Sequence, residues 1–185
     1  MREIVHDTDP TGLDPAAGHR LVEIACIELM NGVPSGNLFH RYLTPERDIP
    51  EEAYAVHKLS LDFLSTKSLF ADAADELMAF IGESPIIAHN AEFDCKFLNA
   101  ELERCGKSKV SCKIIDTVTL ARKFTDNVEW SAMDATRSDR DYLCQAVETA
   151  IKAGATTVNI PDTVGYATPD DYGALIKYLR ENAKG

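Results

Sequence analysis

The sequence predicts a mixed α/β protein whose last third changes to a plain strand–helix alternation. Three observations carry this. Two apolar–polar alternating runs flank an Asn-Gly turn, HRLVEIACIELMNG and NLFHRYLTP. A segment with helical spacing, SLFADAADELMAFIGES, precedes the short apolar run SPIIAHN. After about residue 124 the pattern becomes strand–helix–strand–helix. Alternation with period two marks a half-buried strand, and period 3.6 marks an amphipathic helix.

Element by element, REIVHD reads as a first strand. The two alternating runs read as an antiparallel pair beside it. In the first helical segment Leu69, Ala73, Leu77 and Phe80 are expected on one face. SPIIAHN is a buried strand, and AEFDCKFLNAELERCG is a helix closed by Gly106. KIIDTVTLARKF is a strand running into a helix. NVEWSAMD is a strand and SDRDYLCQAVETAIKAGA a helix. TTVNIPDTVG is a strand and turn. TPDDYGALIKYLRENAKG is a helix with Thr168 as N-cap and Pro169 in its first position. The expected parts are 1–124 and 125–185. The seam lies in TLARKFTDN, with no polar linker of the kind that separates natural domains.

The composition is that of a globular protein, with 45% hydrophobic and 26% charged residues. No apolar run reaches membrane-spanning length, so no membrane role is expected. MREIVHD enters the first strand directly, without the pattern of a signal peptide. Five cysteines lack CxxC spacing, which reads as reduced thiols in a cytoplasmic protein. Nineteen Lys+Arg against 30 Asp+Glu give a net charge of −11. That excludes a basic stripe gripping duplex phosphates; any nucleic-acid contact is expected to be short and metal-assisted.

The chemistry concentrates in two acidic stretches. In IVHDTDPTG, Asp7 and Asp9 alternate along a strand and share a face. In IIAHNAEFDCKFL, Asp94 lies among apolar helix residues, where a carboxylate is costly unless paired or metal-bound. Taken alone, Asp7 and Asp9 are ordinary turn residues. Together with Asp94 they can hold hard divalent cations through oxygen, and two such ions can activate water for phosphodiester hydrolysis.

IVHDTDPTG, AVHKLS, IIAHNAEFD and IIDTVTLARKF, in that order over residues 1–124, resemble the DEDDh 3′–5′ exonucleases. Within these they are most similar to the proofreading epsilon subunits of bacterial DNA polymerase III. The resemblance implies an RNase H-like fold, two Mg²⁺ or Mn²⁺ ions, and a single-stranded DNA (or RNA) 3′ end as substrate. It also implies the polymerase alpha and theta subunits as partners. Carried over by position, Asp7, Asp9 and Asp94 match the first three acidic metal ligands and catalytic residues. Thr8, Gly12, Leu13, Glu52, His57 and Asn90 match positions that line the terminal nucleotide's pocket.

Three departures accompany the resemblance. The second acid is Asp9 where the family usually has Glu, one methylene shorter. His6 stands where the family has an apolar strand residue. The family's closing motif, His, four residues, then Asp on a final helix, is absent: no histidine follows His89. Tyr166 and Asp170 fit a related Tyr-x3-Asp spacing, but helix capping accounts for that stretch. The missing helix is expected to leave apolar sheet surface uncovered.

From about residue 118 the chain resembles instead 2-isopropylmalate synthase, most specifically in NIPDTVGYATP. That family is a TIM barrel that condenses acetyl-CoA with a 2-oxo acid at a divalent metal. Ser131 and Thr163 match positions that contact the oxo acid, and Met133 stands where the family usually has a catalytic Glu. The barrel's metal-binding Asp and His-x-His motifs are not in the chain. Two of eight βα units cannot close a barrel or complete its site, so Ser131 and Thr163 are read as plain strand-end residues.

Overall fold

The computed structural model describes residues 1–185, which pack as two compact units, Met1–Ile115 and Asp116–Gly185.

The first unit is built on three long antiparallel strands. These are β1 (Arg2–Pro10), β2 (Leu21–Met30) and β3 (Val33–Tyr42). The β2–β3 turn is tight because Asn31 and Gly32 both adopt positive φ, 54° and 78°. Next come two short helices, α1 (Glu51–His57) and α2 (Leu61–Leu64), then α3 (Phe70–Ile81), β4 (Ile86–Ala88) and α4 (Ala91–Arg104). The last strand is β5 (Ile114–Asp116), and the sheet order is β3-β2-β1-β4-β5. β4 runs parallel to β1, with Ile4 opposite Ile86 and Val5 opposite Ile87.

Alternation along β1 sends Ile4, His6 and Thr8 into the interior and Asp7 to the other face. The interior face meets α3 and α4 in one core that includes Ile4, Ile24, Phe39, Leu77, Phe97 and Leu98. On α3 the buried stripe is Phe70, Ala73, Ala74, Leu77 and Ile81. Of the four residues expected on that face, Ala73 and Leu77 belong to it. Leu69 is the extended residue before the helix, and Phe80 is only partly buried. α4 ends as expected around Gly106, at φ +68°, with Lys107 N–H donating to the Leu102 carbonyl. On the opposite sheet face Ile27 and Leu38, cross-strand partners, are 45% and 66% exposed.

His6 is the odd member of the core. It is 2% exposed, its Nδ1 lies 3.4 Å from Cys26 Sγ, and its Nε2 has no hydrogen-bond partner. Burial pulls its pKa from 6.5 down to about 4. A depressed histidine pKa means the unfolded chain takes up a proton first. His6 therefore costs the fold stability as pH drops from about 6.5 to about 4. A His6→Leu variant is expected to be more stable by about 1–2 kcal/mol at neutral pH, the cost of an orphaned buried polar atom. The gain should grow toward pH 4. Urea denaturation at pH 7.5 and 5 measures both, and equal gains at the two values would rule out the protonation part.

The second unit holds α5 (Thr117–Ala121), β6 (Glu129–Ser131), α6 (Arg140–Ala153), β7 (Thr157–Asn159) and α7 (Pro169–Asn182). β6 and β7 form a two-stranded parallel sheet, with Trp130 opposite Val158. Its own core gathers Val128, Trp130, Leu143, Val147, Ile160, Leu175 and Leu179. Gly154 ends α6 at φ +107°. Thr168 Oγ1 caps α7 by accepting from Asp171 N–H, with Pro169 in the first turn. Tyr166 is 70% exposed in the loop before that cap, and Asp170 lies in the helix's first turn. Capping is thus the visible role of this stretch. No helix of the chain is long and apolar enough to cross a membrane.

Candidate active site

The end of β1 and the start of α4 carry the acidic residues. Asp7 and Asp9 lie on one sheet face, and Thr8 between them turns to the other. There the Thr8 hydroxyl donates to Asp94 Oδ1 at 2.7 Å. Asp94 is 3% exposed and sits in the first turn of α4, where the helix dipole favours an anion. That help does not offset burial. Desolvation pushes the Asp94 carboxyl up to about 7, and the charge of Asp7 adds to the rise against the Thr8 hydrogen bond.

Asp9 is also pushed up, to about 6, first by desolvation and then by the charges of Glu23 and Asp7. Asp7 is raised as well, by desolvation chiefly and by Glu23, while His89 works in the opposite direction. So each of the three carboxyls resists ionisation, and Asp7 is felt by both of the others. That is the electrostatic signature of a site short of positive charge. Hard oxygen donors in this state fit a divalent cation. No three acidic, thiol or imidazole side chains are yet drawn into one tight cluster.

Beyond Asp9 the sheet supplies residues that the sequence pattern did not single out. Glu23 stands opposite Asp9 across the β1–β2 pair, and Tyr42 stands opposite Glu23 on β3. His40 Nε2 lies 2.6 Å from Glu23 Oε1. The His40 and Tyr42 rings meet edge-on at 4.8 Å, and Phe63 of α2 meets Tyr42 edge-on at 5.1 Å. Adjacent alternating strands would have shown this face, given their register.

The remaining expected residues are distributed as follows. Gly12 packs so closely on His19 that a Cβ there would lie 2.6 Å from the imidazole Nε2. Leu13 is 36% exposed. Glu52 lies in the exposed first turn of α1, and His57 in its last turn. His57 Nδ1 accepts from the Leu59 N–H at 3.0 Å, while its Nε2 is buried without a partner. Asn90 takes φ +57°, ψ 50° and turns the chain from β4 into α4. Among these six positions it is Thr8 whose side chain bonds to one of the three acids. In the second unit Ser131 ends β6, accepting from Asn159 Nδ2 at 3.1 Å, and Met133 is 95% exposed.

Comparison with known proteins fits this layout. Residues 4–139 match the sequence profile of the exonuclease family. The chain is 44% identical over 149 residues to the DNA polymerase III subunit epsilon of Rickettsia conorii, covering 78% of this chain and 61% of that protein. It thus spans about three fifths of that curated relative. It is also 65% identical over 68 residues to the 2-isopropylmalate synthase of Methylorubrum populi, covering 37% of this chain but 13% of that enzyme. Among solved structures it superposes on Escherichia coli exonuclease I in complex with a dA16 oligonucleotide, with a TM-score of 0.61 and 15% identity. That match covers 99% of this chain and 41% of the other. At that identity it shows the fold, a mixed α/β sheet of the RNase H-like kind.

Proposed function

The chain belongs to the exonuclease family, and on that premise we propose that its first part is a 3′–5′ exonuclease of the DNA polymerase III epsilon type. One observation carries the proposal: within the family match, Asp7 and Asp9 share one face of β1, and Thr8 between them holds Asp94 at the start of α4 by its hydroxyl. The reading assigns these three as metal ligands of the DEDDh class, for two Mg²⁺ or Mn²⁺ ions. Bound there, the ions supply Lewis acidity toward the scissile phosphate.

This chain's own residues do the rest. Thr8 holds the Asp94 carboxyl by its hydroxyl. Gly12 keeps the backbone after β1 close against His19. With Leu13, Glu52, His57 and Asn90 they make up the proposed pocket for the terminal nucleotide of a single DNA strand, with RNA as the other candidate. The alpha and theta subunits of a polymerase are proposed partners. Residues 125–185 are proposed to be a fragment of a barrel of the 2-isopropylmalate synthase kind, carrying no site of their own.

A second reading rests on one fact: no histidine follows Asp94. The chain would then bind a metal and a 3′ end without turning over. One assay separates the readings. A single strand labelled at its 3′ or its 5′ end is incubated with the protein and Mn²⁺. Early release of label from the 3′-labelled strand alone supports the enzyme. Binding without release supports the remnant. Release from the 5′ end first, or release unaffected by a chelator, would contradict both.

A further inference from the structure

The exposed aromatic residues of the first unit are two, Tyr54 at 44% and Phe63 at 40%. Apolar side chains scattered singly on a surface are ordinary, but these two share a pattern. Each is followed four residues later by a lysine, Lys58 and Lys67. The ammonium of Lys58 lies over the Tyr54 ring at 6.0 Å from its centroid, and that of Lys67 over the Phe63 ring at 4.1 Å. In a chain of net charge −11, two cations thus rest on π faces rather than on carboxylates.

Both pairs lie on the segment that carries His57. Tyr54 and His57 are on α1, Lys58 ends that helix at φ +60°, and Phe63 is on α2. The sheet fixes where α2 stands relative to the acids. Asp9 on β1 is opposite Glu23 on β2, and Glu23 is opposite Tyr42 on β3. Directly opposed residues share a face, so the row from Asp9 through Glu23 to Tyr42 covers two strand spacings, about 10 Å. The Phe63 ring meets that of Tyr42 edge-on, with 5.1 Å between centroids. Phe63 and Lys67 therefore stand on the Asp9 face of the sheet, past Tyr42. That distance suits a nucleotide upstream of the terminal one.

We propose that the α1–α2 segment carries the single DNA strand upstream of its 3′ end, with bases stacked on Phe63 and Tyr54 and phosphates held by Lys67 and Lys58. The inference rests on the exonuclease reading above. Stacking needs only a π face, so the strip accepts any base. A base arriving on Phe63 displaces the ammonium from the ring. The flexible lysine then turns to the phosphate, a stronger partner than an exposed ring. Tyr42 braces Phe63 from the sheet side. The two lysines supply at this place the positive charge that the chain as a whole lacks.

The test uses the full chain with Mn²⁺ and 3′-labelled oligothymidylates, a dinucleotide and an eight-mer, of which only the longer reaches the strip. Phe63→Leu, Tyr54→Leu, Lys67→Gln and Asp94→Asn are compared with wild type for kcat, KM, the salt dependence of KM and thermal midpoint. Phe63→Leu keeps an apolar side chain and removes the π face. It is expected to raise KM for the eight-mer about 10-fold, with kcat, midpoint and the dinucleotide kinetics held. Tyr54→Leu should act in the same sense, again on the eight-mer alone. Lys67→Gln should lower the slope of log KM against log salt by about 0.7 for the eight-mer and leave that of the dinucleotide alone. Where wild type binds without turnover, Kd replaces KM in the same comparison. Equal losses on both lengths, or an eight-mer KM within about two-fold of wild type in both Phe63→Leu and Lys67→Gln, would overturn the strip. With Asp94→Asn inactive, the exonuclease reading would still stand. A wild type that neither binds nor cleaves either strand fails that reading itself, and the strip with it.

Discussion

At pH 8 and without divalent metal, Asp94→Asn is expected to unfold at a higher temperature than wild type, by about 4 kcal/mol of stability. The folded carboxyl ionises near pH 7 against 3.8 for the free group. Every tenfold change in proton affinity is worth about 1.4 kcal/mol. A raised carboxyl pKa means the folded state binds the proton more tightly than the unfolded one. The penalty is therefore complete above about pH 7 and is relieved as pH falls through 7 toward 4. Asparagine keeps the acceptor for the Thr8 hydroxyl and removes the charge. Mn²⁺ should raise the midpoint of wild type, because it compensates the charge that burial leaves bare, and should raise that of Asp94→Asn far less. Calorimetric melting with and without metal reads both effects. A metal-free variant less stable than wild type at pH 8 would contradict the account. His6 works in the opposite sense over nearly the same range. His6→Leu should therefore steepen the rise in stability toward acid that the three raised carboxyls give the metal-free protein.

Arg20→Met is expected to destabilise the first unit by about 3 kcal/mol. Glu101 on α4 is 1% exposed, and its Oε1 gathers three donors: Arg20 Nε at 2.8 Å, Arg104 Nη1 at 3.0 Å and Leu21 N–H at 3.2 Å. Arg104 also reaches the carbonyls of Pro15 and His19. One buried carboxylate thus ties α4 to the start of β2 and to the loop that carries Gly12. Removing Arg20 strips that carboxylate of its nearest cation while leaving its charge inside, and Oε2 already lacks a partner. Glu101→Gln should cost less, because the charge goes too. Urea denaturation of the two variants orders them. A loss in Arg20→Met below about 1 kcal/mol, the value of a solvent-screened pair, would contradict a buried clamp.

The long elements were legible because their patterns are long. β1 to β3 alternate over nine or ten residues, and α3, α4, α6 and α7 keep a helical stripe over 12 to 14. α1 and α2 were not, for a physical reason: α1 buries no residue fully and α2 is one turn long, so neither has a stripe to read. The three acids were visible as chemistry out of place, a carboxylate among apolar helix residues and two on one strand face. Glu23, His40 and Tyr42 were invisible because only register sets them beside Asp9, and a slip of one residue would have turned them to the other face. His6 was visible as a misfit, but its single sulfur neighbour and orphaned nitrogen required the packing.

The most direct test of the central claim is nucleotide release from a 3′-labelled single strand in Mn²⁺, by wild type and by Asp94→Ala purified side by side. The account predicts release by wild type that a chelator stops and that falls at least about 100-fold in the variant, with both proteins folded. Equal release by the two would place the activity outside the Asp7, Asp9 and Asp94 site and contradict the account.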